Sequence, residues 1–587
     1  MAEPVSLWAP KASRVELDLP ASGAREVMEA GAEGWWSAAP LESGTDYAFC
    51  LDGGPPRPDP RSPWQPAGVH AHSRTYDAAD FAWSDQDWAG RPVRGAVIYE
   101  LHIGTFTPAG TLDAAIERLD HLVALGVDIV ELMPVAAFPG ERGWGYDGVA
   151  LYAVHQAYGG PVALQRFVDA AHQRGLGVAL DVVYNHLGPS GNYLKEFAPY
   201  FTDRHHTPWG EAVNLDGPGS GPVRKFIIDN ALRWLRDFHI DALRLDAVHE
   251  LKDGSPQHLL AELAGAVATL SDQVGRPLGL IAESDLNDAR MVTEVRAGGL
   301  GMDAQWADDV HHAIHAYLTG ERHGYYTDFG SPATLAKSLT EVFVHDGIYS
   351  DFRDMVWGAP VPADVPGHRF VASLNTHDQV GNRALGDRPS ATLGPGRLAI
   401  GAALLLASHY TPMLFMGEEW GASSPWMFFT DHAEPELAEA IRSGRQAEFG
   451  AHGWAELYGT EDLTVPDPQD RATFDASRLD WSEPASGDHA RLLAWYQELI
   501  ALRRVLEDLS SGDRSVTEVA FDAEAGWFTL RRGRIAVITN MGRPQEIPAP
   551  QGVGPQVRAA WSADASVRTD DAGTRVHLGT DDVVILG

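Results

Sequence analysis

Arg244 and Asp246 stand two apart in DALRLDAV (241–248), a run that is otherwise apolar except for Asp241. Side chains at i and i+2 share one face of a strand, so a strand here points a guanidinium and a carboxylate the same way. The cation lowers the acid's pKa and holds it ionised and oriented, the state a nucleophilic carboxylate needs. A structural ion pair would have the same spacing. Asp241, at the start of the run, reads as a solvated or capping residue. A second carboxyl, Glu283, follows the apolar LGLIA (278–282) with no evident cation near it in sequence. Such a setting raises a carboxyl pKa. One ionised and one protonated carboxyl facing each other across a bond are the machinery of glycoside hydrolysis. Asp246 would be the nucleophile and Glu283 the general acid, then the base.

Such groups need a rigid frame. From about residue 95, apolar β-branched runs alternate with helical patterns. The expected strands are AVIYELHI (96–103), DIVELMPV (128–135), GVALDVVYN (177–185), DALRLDAV (241–248), LGLIAES (278–284), MDAQWAD (302–308), RFVASLN (369–375) and PMLFMGE (412–418). Between them, LDAAIERLDHLVALG (112–126) and VRKFIIDNALRWLRDF (223–238) carry apolar residues at helical spacing. Eight such strands predict an α/β fold, a (β/α)8 barrel, whose sites form at the carboxyl ends of the strands. Those ends supply Asp181, Asn185 and His186 after strand three, Arg244 and Asp246 on strand four, Glu283 and Asp285 after strand five, and His377 and Asp378 after strand seven. Polar residues at any one strand end need no special account. Charge buried inside runs such as DVV and LRLDAV does, because burial alone disfavours it.

The flanks differ in texture. Residues 1–90 are short alternating segments broken by Gly and Pro, as in GGPPRPDPRSPWQP (53–66), and read as an N-terminal β-sandwich. The barrel domain would span 91–510, with an inserted helical subdomain near 310–365 containing LTGERHGYYTDFG (318–330). Residues 511–587 return to short strands and read as a C-terminal β-sandwich. The chain of 587 residues is too long for one core. Its net charge of −36 argues against nucleic acid and anionic membranes as partners. Its single cysteine, Cys50, excludes an internal disulfide and argues against a cysteine-based metal site. The apolar run 398–416 is interrupted by His409, Tyr410 and Pro412 and reads as a buried helix followed by a buried strand. No secretory signal is evident at the N-terminus, and a soluble, cytoplasmic protein is expected. Trp35, Trp36 and Trp64 are expected to pack in the N-terminal domain rather than to form a sugar platform.

DVVYNH, LRLDAV, IAESD and THD, in this order, resemble the four signature segments of the alpha-amylase superfamily across the whole barrel. The resemblance implies a retaining mechanism in which Asp246 is the nucleophile, Glu283 the acid/base and Asp378 a third carboxylate gripping the reacting sugar. It also implies that His186 and His377 bind hydroxyls of that sugar, that Tyr146 in GWGYDG stacks on it, that Arg244 holds Asp246, and that Asp181 supports the set. Thr376 stands where that family usually has Asn, and Ala242 where Gly is usual.

The finer motifs VIYELHIGTF, PGERGWGYDGV, IAESDLNDAR, LTGERHGYYTDFG and LFMGEEWGASSPWMFFTDH look like the maltooligosyltrehalose trehalohydrolase branch. That resemblance implies hydrolysis of the α-1,4 bond next to a terminal trehalose, release of trehalose, and functional pairing with a maltooligosyltrehalose synthase. His249 and Glu250, together with Trp209 and Glu211, are the candidates for the trehalose side; each would otherwise be an ordinary loop residue. A 1,4-α-glucan branching enzyme and a general α-amylase-type hydrolase are the alternatives, and an inert sugar-binding scaffold is disfavoured by the presence of all three carboxylates. No cofactor and no metal is expected. Some amylases bind calcium through the residue at Asn185, but no Asp-rich loop completes the six to eight oxygens that calcium takes. The adjacent pairs His205–His206 and His311–His312 would diverge on a regular element.

Overall fold

A computed structural model describes residues 4–449, 457–458, 463–571 and 573–587. At its centre eight parallel strands close into a barrel in consecutive order. They are β1 (Ile98–Leu101), β2 (Ile129–Leu132), β3 (Gly177–Val182), β4 (Ala242–Leu245), β5 (Gly279–Ala282), β6 (Ala304–Trp306), β7 (Phe370–Ser373) and β8 (Thr411–Phe415). The first seven lie within the runs expected of them and β8 begins one residue earlier, at Thr411, because a strand buried on both faces is apolar along its whole length. The run 398–416 is helix Pro395–Leu406 followed by β8.

The barrel interior is layered. Ile98, Ile129, Ala179, Ala242, Ile281, Ala304, Val371 and Met413 form one buried apolar cluster. Two residues further along each of four strands, on the same face, stand Glu100, Glu131, Asp181 and Arg244, all buried. A barrel core of this kind is filled by side-chain layers, and here the layer nearest the carboxyl ends is charged. Burying charge is costly unless it is paired, so this layer carries the electrostatics of the site above it. The strand register sets its order: Glu100 is opposite Glu131, Glu131 opposite Ala179, and Asp181 opposite Arg244.

Longer connections build the walls above the strand ends. After β3 comes an antiparallel hairpin, Phe201–Thr207 and Gly210–Val213, and then helix Ser220–Asp237. Between β6 and β7 lie helices Asp308–Thr319 and Pro332–Glu341 and a second hairpin, Ile348–Ser350 with Met355–Trp357. Upstream of the barrel, residues 5–74 form a three-stranded and a four-stranded sheet. Trp36 is buried there and donates to the Ala9 carbonyl at 3.1 Å, whereas Trp64 reaches across to Gln156 at 2.6 Å. Downstream, a five-stranded and a three-stranded sheet enclose Ala536, Ile538, Ile547, Val576, Leu578, Val584 and Leu586. Cys50 is buried in the strand Asp46–Leu51. No helix among the described residues is long and apolar enough to cross a membrane.

Asp241 departs from its expected role. It is fully buried at the amino end of β4, where it accepts hydrogen bonds from Trp88, His172, Arg276 and the backbone of Val178. Its partners come from remote parts of the chain, so the local sequence shows only an acid at a strand boundary.

Candidate active site

Arg244 is the hub. It is 1% exposed, and its Nη1 donates to Asp181 Oδ2 at 2.9 Å and to Asp246 Oδ1 at 3.0 Å. Its Nη2 lies 3.3 Å from Glu283 Oε2, and its guanidinium sits 4.2 Å from the centroid of the Trp306 ring. Glu283 therefore has a cation beside it that its own segment does not reveal. Burial nevertheless dominates: it lifts the Glu283 carboxyl to about 8, aided by the nearby charges of Asp246 and Asp378 and opposed by Arg244 and the Ala247 N–H. Asp246 is held at both oxygens, by Arg244 at Oδ1 and by the Asn185 amide at Oδ2, 2.7 Å away.

The turn after β4 brings the two carboxyls together. Ala247 adopts a left-handed conformation with φ of 39°, which is strained for a residue with a Cβ. Its N–H donates to Glu283 Oε2 at 2.5 Å.

Asp378 lies at the start of the short helix His377–Gly381, which Thr376 caps: its Oγ1 accepts from the Asp378 N–H at 3.2 Å. Thr376 thus serves as a helix cap. Asn382 donates to Asp378 Oδ1 at 3.1 Å. His377 is buried and fixed from below by Glu100, which accepts from its backbone N–H at 2.9 Å and from Nδ1 at 2.5 Å. Burial opposes a charge on His377, but Glu100 outweighs it and raises the imidazole to about 9. Tyr146 stacks on the His377 ring, with centroids 5.0 Å apart, and donates to Asp181 Oδ2 at 2.6 Å. Burial raises the Asp181 carboxyl to about 6 against the pull of Arg244.

His186 follows Asn185, whose Oδ1 lies 2.5 Å from His186 Nδ1. Both ends of the Asn185 side chain are thereby engaged within the site, and its oxygen faces a histidine rather than a set of oxygens suited to calcium. Among the described residues no group of three or more His, Cys, Asp or Glu side chains is arranged to hold a metal. Trp209, at the tip of the hairpin after β3, lies flat on the His186 ring with centroids 4.2 Å apart, yet remains 51% exposed. The structure thus carries Trp209 to the mouth of the site. Glu211, two residues on, instead pairs with Lys195 at 2.7 Å. His249 sits on the turn after Asp246, and its Nδ1 accepts from the Asp285 N–H at 3.4 Å. Glu250 pairs with Lys252 at 3.2 Å, and its second oxygen is buried without a partner.

Three charged groups of the site have no role assigned from the sequence. Glu100 sits inside AVIYELHI, and its signal is the one Arg244 gives, a charge within an apolar strand. Asp308 lies two residues past β6, at the start of helix Asp308–Thr319, and burial together with Asp285 and Asp378 raises it to about 7. Asp285 is itself clasped by the second hairpin, through an ion pair with Arg353 and a hydrogen bond from Trp357 to its carbonyl at 2.8 Å.

Comparison with known proteins adds to this geometry. The alpha-amylase catalytic domain matches residues 77–209. A malto-oligosyltrehalose trehalohydrolase from Arthrobacter ramosus is 54% identical over 576 residues, 97% of each chain. A Geobacillus stearothermophilus 1,4-alpha-glucan branching enzyme is 30% identical over 332 residues, 51% of this chain and 52% of that one. Among solved structures, a Salmonella typhimurium chain provisionally named an alpha amylase superposes with a TM-score of 0.88 at 37% identity, covering 99% of this chain and 97% of that one. Full-length similarity at this identity, on a closed barrel with its four signature segments at the strand ends, shows that the chain belongs to the malto-oligosyltrehalose trehalohydrolase family of alpha-amylase-type glycoside hydrolases.

Proposed function

We propose that the protein hydrolyses the α-1,4-glucosidic bond next to the terminal trehalose of maltooligosyltrehalose and releases trehalose, by a retaining double displacement. The observation that carries the mechanism is the single Arg244 guanidinium bridging Asp246 and Glu283. Retaining enzymes keep their two carboxyls about 5–5.5 Å apart, and two acids on neighbouring nitrogens of one guanidinium suit that close spacing. The substrate assignment rests on the family.

In the first step an Asp246 oxygen attacks the anomeric carbon. The bond from that carbon to the leaving oxygen breaks as Glu283 delivers its proton to the trehalose unit. In the second step water attacks the same carbon, Glu283 takes its proton, and the bond to Asp246 breaks. Both groups return to their starting states. Arg244 and Asn185 hold Asp246 as the anion, burial keeps the proton on Glu283, and Asp378 with His377 and His186 binds hydroxyls of the reacting sugar. Tyr146 packs against that sugar, and Asp181 buttresses Arg244. Trp209 and His249 line the approach, and Glu250 and Glu211 stand further back. The substrate would be supplied by a maltooligosyltrehalose synthase.

The test is a paired assay on maltotetraosyltrehalose and maltohexaose with chromatography of the products. Fast release of trehalose from the first and slow cleavage of the second is expected. Equal cleavage of both would indicate a general α-amylase, and new α-1,6 branches a branching enzyme; either result overturns the proposed specificity.

A further inference from the structure

We infer that Glu100, on the first barrel strand, is a positioning residue that holds His377 as a doubly protonated ring, so that both ring nitrogens act as donors. This rests on the reading above that His377 binds the reacting sugar. The Glu100 carboxylate meets His377 twice, at the backbone N–H and at Nδ1. A carboxylate only accepts, so Nδ1 carries a proton. Nε2 has no protein partner among the described residues, and its state decides whether it offers a sugar oxygen a hydrogen or a lone pair.

The surroundings favour the hydrogen. Asp378 adjoins His377 in the chain, and Asp181 lies across the charged layer; both support a cation, while Arg244 opposes one. The face of the Tyr146 ring lies against the imidazole and suits a cation as well. His102, an imidazole that feels the charge of His377, is driven neutral by burial, to about 3, and adds no competing charge.

Glu131 is the remaining group. It lies in register with Glu100 on the next strand, is 1% exposed, and neither of its oxygens has a hydrogen-bond partner. Their strands are adjacent, about 4.8 Å apart, and the charge of Glu100 acts against ionising Glu131 as well. Burial, reinforced by Glu100, pushes Glu131 well above the usual carboxylate range. Glu131 therefore favours its neutral form, and the Glu100 carboxylate is left to serve His377.

The experiment is the pH dependence of kcat/KM on maltotetraosyltrehalose for wild type, E100Q, E131Q and H377N, with folding verified by circular dichroism. An amide at position 100 leaves His377 buried without its counter-charge, so E100Q loses roughly 100-fold at pH 7 and recovers in part as the pH is lowered and the ring regains its proton. E131Q, an amide in place of a neutral acid, keeps the wild-type pH dependence. H377N is slow at every pH. A uniform loss in E100Q across pH, or a displaced profile in E131Q, overturns the inference while leaving the assignment of His377 to the sugar intact. A fast H377N removes that assignment itself. Should E100Q not fold, imidazole nitrogen NMR of the wild-type protein, with His377 identified by its absence in H377N, decides: two protonated nitrogens at pH 7.5 support the inference and one overturns it.

Discussion

The backbone N–H of Ala247 donates to Glu283 Oε2 at 2.5 Å from a left-handed conformation, φ 39°. Asp246 immediately precedes that strained residue, so one turn positions the nucleophile and tethers the acid/base. Left-handed backbone costs an L-residue about 1–2 kcal/mol, and glycine escapes the cost. Ala247→Gly should therefore match or exceed wild type in Tm while lowering kcat/KM, because a freer turn holds the two carboxyls less firmly. A loss of about 3- to 10-fold is expected. Steady-state kinetics beside thermal melts check this, and a clear fall in Tm would show that the turn is not strained.

Glu283 gives the pH profile its alkaline limb. Its folded-state pKa is raised to about 8, so the protonated, acid-competent form prevails below that value and disappears above it. kcat/KM should hold level through pH 7 and then fall about tenfold per unit above pH 8. Glu283→Gln removes both the proton and the limb, with a loss of about 10²–10⁴. An inflection near the ordinary carboxylate range of about 4 would show that burial does not govern this group.

How much of this is legible in the sequence depends on how far each cause lies along the chain. The strands are legible because burial on both faces leaves an unbroken apolar run, and the Arg244–Asp246 pairing because the i, i+2 relation is local. Glu283's contact with Arg244 arises only when β4 and β5 pair, and its own segment holds no cation. Asp241 looks like a boundary acid because Trp88, His172 and Arg276 come to it from three different segments. Glu100 and Arg244 give the same sequence signal, yet only the folded barrel shows that Glu100's partner is His377 at the far end of the domain. Trp209 is a loop aromatic in sequence, and its position over His186 depends on the hairpin after β3.

Trp209 offers a further test. Its ring covers His186 and keeps half its surface open, as suits a platform for a sugar face. Trp209→Ala should raise KM for maltotetraosyltrehalose about tenfold, in line with about 0.5–1.5 kcal/mol for an aromatic contact beyond its buried area. Thermal stability should change little, because the residue is exposed. A comparable rise in KM for maltohexaose would place Trp209 on a part of the cleft common to both substrates, and an unchanged KM for both would remove it from the site.

The amino end of the barrel carries its own electrostatic device. His172 lies between Asp85, at 2.8 Å, and Asp241, at 3.0 Å, with the Trp88 ring stacked on it. Burial works against its charge, but the two carboxylates prevail and raise its pKa above 6.5. Asp85 is held well below the usual carboxylate range by His172 and His239, against burial. The sign follows from these shifts. His172's contribution is complete below about 6.5 and is lost as pH rises through its folded-state value; that of Asp85 is complete above about 4 and is lost in acid. The cluster thus stabilises most between those limits. His172→Gln leaves two buried acids without their shared cation and should cost about 3–5 kcal/mol near pH 6, with a smaller deficit at pH 10, where wild type has also lost the charge. Denaturant melts of both proteins at the two pH values measure the difference, and an equal deficit at pH 6 and pH 10 would show that His172 acts through packing against Trp88 rather than through charge.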